Sequence, residues 1–160
     1  NALHWNCADG NGFGRGLPPA ADNQDKWPYA KPLLDTVRVG CPQITGASAA
    51  YRDLLKIRSG ERDFSLATAA QVQSRLSFPL SGKDETPGVI TMSLGDLVVV
   101  FNATPERQEQ RLDAAAGTGY RLHPVQAAGA DAVVKESAYA AKTGTFTVPA
   151  RTVAVFQRAG

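Results

Sequence analysis

The sequence predicts a mainly β fold: an antiparallel β-sandwich preceded by a long loop and one amphipathic helix. Three observations carry this prediction. Residues 88–102, GVITMSLGDLVVVFN, combine a β-branched run with a two-residue turn signal. Further short segments of alternating polarity follow at nearly even spacing, separated by turns that contain Gly or Pro, which is typical of a sandwich. Residues 44–59 instead show helical periodicity.

The segment 88–102 is predicted to be a β-hairpin around Gly95-Asp96. A glycine at the first loop position suits a type II′ turn, and this turn fixes the register of the two strands. Counting outward from the turn gives the pairs Leu94–Leu97, Met92–Val99 and Ile90–Phe101. One face of the hairpin is therefore wholly apolar, and it needs a partner layer because an isolated hairpin is marginally stable in water.

The first 42 residues are predicted to form a long loop. They are rich in Gly, Asn, Asp and Pro, and they show no strand or helix period beyond a short helical possibility at Pro32–Thr36. Aromatic rings indicate that this loop is ordered, since such rings are costly to leave in water unless they pack or bind something. These rings belong to Trp5, Phe13, Trp27 and Tyr29.

Residues 44–59 are predicted to form one amphipathic helix. Thr45 is a possible N-cap, and Gly60 stands where a C-cap glycine belongs. The residues expected along one face are Ile44, Ala47, Tyr51, Leu54, Leu55 and Arg58.

After Gly60 the period changes from helical to alternating, which places a domain boundary between residues 1–60 and residues 61–160. A short helix capped by Thr68 is predicted at Thr68–Ser74. Besides the hairpin, strands are predicted at Leu76–Leu80, Gln110–Leu112, Tyr120–His123, Ala132–Glu136, Thr145–Val148 and Thr152–Gln157.

Composition argues against two classes of partner. The net charge of +2 comes from scattered Lys and Arg, without the basic stripe that nucleic acid or an anionic membrane surface would require. No apolar run approaches the length of a membrane span. With 43% hydrophobic residues, the chain can bury a sizeable core, and we expect a folded protein with neither of these partners.

No motif in the chain predicts a cofactor. The glycine-rich stretch at 10–16 lacks the GxGxxG spacing, and Pro18-Pro19 forbid the helix that would hold a phosphate. The carboxylates of residues 1–42 are interpreted as turn and cap residues, and His123 as a structural or exposed histidine.

The two cysteines leave two alternatives. His4, Cys7 and Asp9 could ligate zinc together with Cys41, but such mixed loop sites are rare. A disulfide between the two cysteines is the favoured alternative, and no metal site is predicted.

Several blocks of sequence stand in a recognisable order. They are GRGLPP at 14–19, WP at 27–28, KP at 31–32, LLKIRS at 54–59, FSL at 64–66, FPL at 78–80, PGVI at 87–90, LHPVQ at 122–126, and FTVP and RTV within 146–153. In this order, nearly end to end, the chain resembles the C-terminal end of pullulanase and limit dextrinase. These are starch-debranching enzymes of the α-amylase superfamily, which hydrolyse α-1,6-glucosidic bonds in pullulan, amylopectin and limit dextrins.

The resemblance implies how the chain fits into such an enzyme. Residues 1–60 would be the last loop and helix of a (β/α)8 catalytic barrel, and the sandwich would begin near Phe64. The family's nucleophilic Asp, its acid/base Glu and its stabilising Asp lie on earlier barrel strands, which would precede Asn1. The resemblance therefore implies a non-catalytic domain that packs on the barrel and stabilises it, with no catalytic residue of its own.

The resemblance also implies substrate contacts in the parent enzyme. Trp5, Asn11 and Phe13 match a family pattern that lines the glucan cleft, although His4 stands where Asp is usual and Gly12 replaces a second Asn. Phe13 would stack on a glucose face. Debranching enzymes that act on external polysaccharide are commonly secreted, so the resemblance implies an extracellular location, which permits a Cys7–Cys41 disulfide. The alternative is two separate buried thiols in a cytoplasmic enzyme, and the spacing of the two cysteines does not decide between them.

One rival hypothesis is an independent α-glucan-binding sandwich that stacks sugars on exposed aromatic rings. No Trp occurs after Trp27, so Tyr120 and Tyr139 are the only large amphipathic rings that the sandwich offers. The sequence therefore favours the stabilising domain over the independent binding module.

Overall fold

The computed structural model describes residues 23–36 and 40–159. The chain divides into two compact units, Asn1–Tyr51 and Arg52–Gly160. The boundary predicted between residues 60 and 61 stays a prediction. No described helix combines the length and the apolar composition that a membrane span requires.

The described part of the first unit is helical. A 3-10 turn at Gln24–Lys26 leads into helix α1, Trp27–Thr36, which contains Pro32. The predicted loop is therefore wrong over these residues, where a helix was expected only from Pro32 onward. Pro28 stands in the first turn of α1, where its missing N–H costs no helical hydrogen bond, so this proline favours the helix start rather than a loop.

Helix α2 runs from Cys41 to Gly60 and ends at the predicted glycine. It begins before Thr45, whose hydroxyl donates to the carbonyl of Cys41 at 2.9 Å from inside the helix, so the predicted N-cap is wrong. The predicted apolar face is also wrong, because Leu55 is 47% exposed whereas Asp53 and Ile57 are buried. These two buried positions are four residues apart and share one face.

The second unit contains two antiparallel sheets, which confirms the predicted mainly β class. One sheet has five strands in the order β1-β2-β3-β8-β5, and the other has three in the order β4-β7-β6. The strands are β1 Leu76–Ser77, β2 Val89–Leu94, β3 Leu97–Asn102, β4 Gln108–Arg111, β5 Tyr120–Leu122, β6 Ala138–Ala140, β7 Thr145–Val148 and β8 Thr152–Arg158.

The hairpin β2–β3 has the register that the sequence predicts. Ile90 pairs with Phe101 and Leu94 with Leu97. Gly95 has a φ of 60°, whereas Asp96 has no positive φ, as a type II′ turn requires.

Helix α3, Ala69–Arg75, confirms the predicted short helix. Thr68 caps it: the Thr68 side chain accepts the N–H of Gln71, and the Gln71 side chain accepts the N–H of Thr68.

The strand predicted at Ala132–Glu136 is wrong. A 3-10 turn occupies Val134–Glu136, and the strand of this region is β6, which begins at Ala138. The carboxylate of Asp131 accepts the N–H of Val133 at 2.8 Å, and this local hydrogen bond favours a turn over a strand.

The main core lies between the two sheets. Phe146 is fully buried, and its ring centroid lies 5.3 Å from that of Tyr120, 4.8 Å from that of Tyr139 and 4.9 Å from that of Phe156. The other buried members of this cluster are Val89, Val98, Val100, Leu112, Ala115, Val134, Val148 and Ala154.

A glutamine side chain completes one edge of the five-stranded sheet. Strand β5 pairs with only the last part of β8, and beyond it the N–H of His123 donates to the carbonyl of Val155 at 2.8 Å. Helix α4, Pro124–Ala127, then places Gln126 beside β8. The Gln126 amide accepts the N–H of Val155 and donates to the carbonyl of Val153, each at 2.8 Å, so it satisfies backbone groups that another strand would otherwise pair.

Candidate docking face

The outer face of the five-stranded sheet is apolar on three neighbouring strands. Alternation along β2, β3 and β8 sends every second side chain away from the core between the sheets. The side chains on this outer face are Ile90, Met92 and Leu94 from β2, Leu97, Val99 and Phe101 from β3, and Val153 and Val155 from β8. A sheet face of this composition needs an apolar cover.

Residues 52–60 of α2 cover one part of this face. Ile57 is 2% exposed and forms one cluster with Leu97, Val99 and Val155. Four half-buried side chains pack against the cluster, namely Phe64, Met92, Val125 and Val153. This second apolar layer lies on the opposite side of the sheet from the main core.

The other part of the face is open. Ile90 is 52% exposed and Phe101 is 37% exposed, and the two are directly opposite each other in the β2–β3 ladder. Val153 of β8 pairs with Phe101 on the far side and is half-buried. We call Ile90, Phe101 and Val153 the open patch. The open patch continues the packed apolar layer, so a partner that covers it would extend that layer.

A part-buried polar network borders the covered part. The Glu61 carboxylate oxygen Oε1 lies 3.0 Å from Nε2 of His123 and accepts the Gln157 amide at 3.1 Å. Nδ1 of His123 accepts the N–H of Val125 at 3.2 Å, so a neutral His123 carries its proton on Nε2 and donates it to Glu61. His123 is 5% exposed, so of the two predicted alternatives, a structural or an exposed histidine, the structure shows the structural one.

The buried carboxylate of Asp53 joins α2 to the loop after α4. Asp53 is 8% exposed and accepts the N–H of Ala130 at 2.9 Å and the ammonium group of Lys56 at 3.0 Å. These partners, the Ala130 N–H first, hold the pKa of Asp53 below its usual range. The carboxylate is therefore a structural group that fixes residues 52–60 against the loop.

The predicted substrate-contact residues, Trp5, Asn11 and Phe13, lie outside the described residues. The same holds for Cys7, so the Cys7–Cys41 disulfide stays a prediction. Cys41 itself is not a free thiol. Over residues 23–36 and 40–159, no three His, Cys, Asp or Glu side chains come together in a way that could hold a metal ion.

The two tyrosines that the rival hypothesis requires as exposed sugar-stacking rings are packed against other aromatic rings. The rings of Tyr120 and Tyr139 meet edge to face with centroids 5.5 Å apart, and both lie against Phe146. The Tyr139 hydroxyl donates to the carbonyl of Ala115, and the guanidinium of Arg158 lies 5.4 Å from the Tyr120 ring centroid. Neither ring is an open stacking platform for a sugar.

Sequence reasoning identified the apolar face but not its environment. The pairing of Ile90 with Phe101 follows from the turn, whereas their exposure depends on where α2 ends its contact with the sheet. The roles of Glu61 and Gln126 were missed, because single polar residues between apolar segments give no periodic signal. A histidine directly before Pro124 was the available signal for a capping role, since proline favours the first position of a helix.

Almost the whole chain is similar to known proteins. Residues 8–159 match the family model of α-1,6-glucosidases, pullulanase-type, C-terminal. The chain is 36% identical over 165 residues to Pullulanase 1, chloroplastic, of Arabidopsis thaliana, which covers 91% of this chain and 17% of that protein. It is 25% identical over 172 residues to the pullulanase of Klebsiella pneumoniae, which covers 98% of this chain and 16% of that protein.

Solved structures of similar proteins agree with these matches. PulA from Klebsiella oxytoca superimposes with a TM-score of 0.73 at 28% identity, over 91% of this chain and 15% of that one. The maltotriose complex of PulA from Klebsiella pneumoniae gives a TM-score of 0.73 at 29% identity, over 91% of this chain and 17% of that one. The chain thus spans 15–17% of the length of these relatives.

Proposed function

Because the chain belongs to the family of pullulanase-type α-1,6-glucosidase C-terminal domains, we propose that it acts as the non-catalytic, stabilising end of a starch-debranching enzyme. That enzyme would hydrolyse α-1,6-glucosidic bonds in pullulan, amylopectin and limit dextrins. Its catalytic carboxylates would come from the preceding barrel, and the α-glucan that is hydrolysed would be a substrate of the whole enzyme rather than of this chain alone. One of the similar structures is a maltotriose complex of a Klebsiella pullulanase, which supports this substrate class.

The observation that carries the proposal is the outer face of the five-stranded sheet. Ile57 shows that this face accepts an apolar layer from the helix that precedes the sheets. The open patch extends the same surface, with Ile90 and Phe101 exposed beside the covered part. In the whole enzyme, the catalytic barrel would cover the open patch and gain stability from the buried apolar area.

Phe101 gives the sharpest test of this docking. A Phe side chain offers roughly 150–250 Å² for burial, so covering the exposed 37% of Phe101 would remove about 75 Å² from water, worth about 2 kcal/mol. We expect Phe101→Ser to lower the free energy of unfolding of the whole enzyme by about 2 kcal/mol more than that of the 160-residue chain alone. Chemical denaturation of both proteins measures this difference.

Phe78→Ser is the matched control, because Phe78 is 46% exposed and lies outside the open patch. Its cost should be the same in the chain and in the whole enzyme. An equal cost of Phe101→Ser in the two contexts would show that the open patch stays uncovered, and it would refute the proposed docking.

The absence of catalysis is tested separately. The purified 160-residue chain is incubated with pullulan, and released maltotriose is measured by chromatography. We expect none, whereas turnover by the pure chain would contradict a non-catalytic role.

Three further parts of the proposal concern residues outside the described ones or the location of the protein. Trp5, Asn11 and Phe13 would line the glucan cleft of the whole enzyme, and Cys7 would pair with Cys41. The enzyme would be extracellular. Among the relatives, one is named as chloroplastic and others come from bacteria.

A further inference from the structure

A cleft lies between the two sheets, on the side of the five-stranded sheet opposite the docking face. Its volume is about 400 Å³, and it opens where the β2–β3 turn and the end of β4 come together. Val98, Leu112 and Ala115 form a buried apolar floor. Small-molecule sites typically measure about 300–1,000 Å³ and combine an apolar lining with a few convergent polar groups.

Polar side chains ring this floor. Nε of Arg111 donates to the carboxylate of Asp113 at 2.8 Å, and both side chains are exposed, at 68% and 84%. On the opposite wall, Ser77 and Ser93 are register partners in the β1–β2 ladder and both line the cleft. Within the described part of the chain, neither serine hydroxyl has a hydrogen-bond partner. The rim therefore offers donors and acceptors that a ligand can engage.

The charges of the rim are balanced. Arg111 is paired with Asp113, and Arg158 lies 3.8 Å from the carboxylate of Asp96 and donates to the Tyr120 hydroxyl at 3.3 Å. An anionic ligand would have to approach these carboxylates or separate the existing pairs. A neutral ligand can instead use the remaining N–H groups and carboxylate oxygens without disturbing the pairs, so the arrangement favours a neutral polyhydroxylated molecule over an anion.

We propose that this cleft binds a short α-glucan segment, as a second carbohydrate site apart from the catalytic cleft. The half-buried side chain of Leu80, which also lines the cleft, would contact the C–H face of a glucose ring. The neighbouring guanidinium and carboxylate of Arg111 and Asp113 would take a pair of adjacent hydroxyl groups, one as acceptor and one as donor. The choice of glucan among neutral sugars rests on the proposed function, whereas the existence of the site rests on the cleft.

Binding is tested on the 160-residue chain by NMR titration with maltotriose. We expect shifts confined to the residues of the cleft. Arg111→Ala combined with Asp113→Ala should raise the dissociation constant roughly tenfold or more, because hydrogen bonds to charged groups are lost. Ser77→Trp, which places a large ring on the opposite wall, should abolish the shifts.

Arg107→Ala combined with Glu136→Ala is the matched control. These two residues form another exposed ion pair, at 3.2 Å, and they do not line the cleft. The control variant should bind maltotriose as the unaltered chain does. Equal weakening in both double variants, no shifts in the cleft, or cleft shifts with inorganic phosphate but not with maltotriose would each overturn the proposal.

The outcome is distinguishable from failure of the proposed docking. Changes at Arg111 and Asp113 leave the outer face of the sheet intact, so they should not alter the unfolding free energy of the whole enzyme. Phe101→Ser in turn should leave maltotriose binding to the chain unchanged. If maltotriose binds but Phe101→Ser costs the same in both contexts, the proposed docking fails and the cleft proposal stands. If maltotriose does not bind but the Phe101→Ser costs differ, the cleft proposal fails and the docking stands.

Discussion

Replacing Asn102 by Ala should destabilise the sandwich far more than the small size of the change suggests. Asn102 is 2% exposed at the end of β3. Its amide nitrogen donates to the carbonyl of Glu106 at 2.7 Å and to that of Pro149 at 2.8 Å, and its oxygen accepts the N–H of Thr104 at 3.0 Å. One side chain thus ties together the loop after β3 and the turn between β7 and β8.

The magnitude follows from these three hydrogen bonds. Each contributes about 1 kcal/mol net, and the carbonyl of the buried Pro149 would lose its donor, so we expect a loss of roughly 3 kcal/mol. With a urea m-value of about 1–3 kcal/mol/M, the unfolding midpoint should fall by on the order of 1 M or more. Urea unfolding followed by circular dichroism in the β-sheet region measures this shift.

Gln108→Ala is the control for Asn102→Ala. Gln108 is half-buried and its amide donates a single hydrogen bond, to the Thr104 hydroxyl at 3.2 Å. We expect this change to cost about 1 kcal/mol or less. An Asn102→Ala cost no larger than that of the control would refute the view that Asn102 holds the two loops together.

Two further predictions concern backbone strain and pH. Gly144→Ala should lower the free energy of unfolding by at least about 3 kcal/mol in a urea titration, because a Cβ atom at this φ of 67° would lie 2.3 Å from the carbonyl oxygen of Leu112. The control is Gly117→Ala, at a φ of 77° in open space, which should cost only about 1–2 kcal/mol. Equal costs of the two changes would refute the close contact at Gly144. The lowered pKa of Asp53 means that its charged form stabilises the fold above the unfolded-state pKa of about 3.9, and that this stability is lost as pH falls through the folded-state value. The stability difference between the unaltered chain and Asp53→Asn should therefore shrink below about pH 4, and a difference that is constant with pH would contradict the role given to the Ala130 N–H.

The substrate-contact residues predicted from the sequence are different residues from those that form the open patch and the cleft. Trp5, Asn11 and Phe13 came from a family pattern and lie outside the described residues. The open patch and the cleft arise instead from residues far apart in the chain. Ser77 and Asp113 line one cleft although they are 36 positions apart in the sequence, and no periodic pattern links such positions.

Features that depend only on neighbouring residues could be predicted from the amino-acid sequence. A glycine at the first loop position set the turn at Gly95 and with it every cross-strand pair of the hairpin. Thr68 and Gln71 form a capping box that starts α3, because both partners lie within one helical turn. The order of short sequence blocks likewise sufficed to predict the family, which the comparisons confirm.

Which surfaces are buried depends on contacts between segments that are far apart in the chain. Periodicity predicted that Leu55 lies on the covered face of α2, yet the buried residues are Ile57 and Asp53. Ile57 packs against the apolar face of the sheet, and Asp53 accepts the N–H of Ala130, so these two contacts fix which face of the helix is buried. The role of Gln126 also depends on a distant contact. Helix α4 brings its amide to the carbonyl of Val153 and the N–H of Val155, where it takes the place of a neighbouring strand. Whether a side chain is buried depends on which other segment packs against it, and the periodicity of one segment carries no information about that other segment.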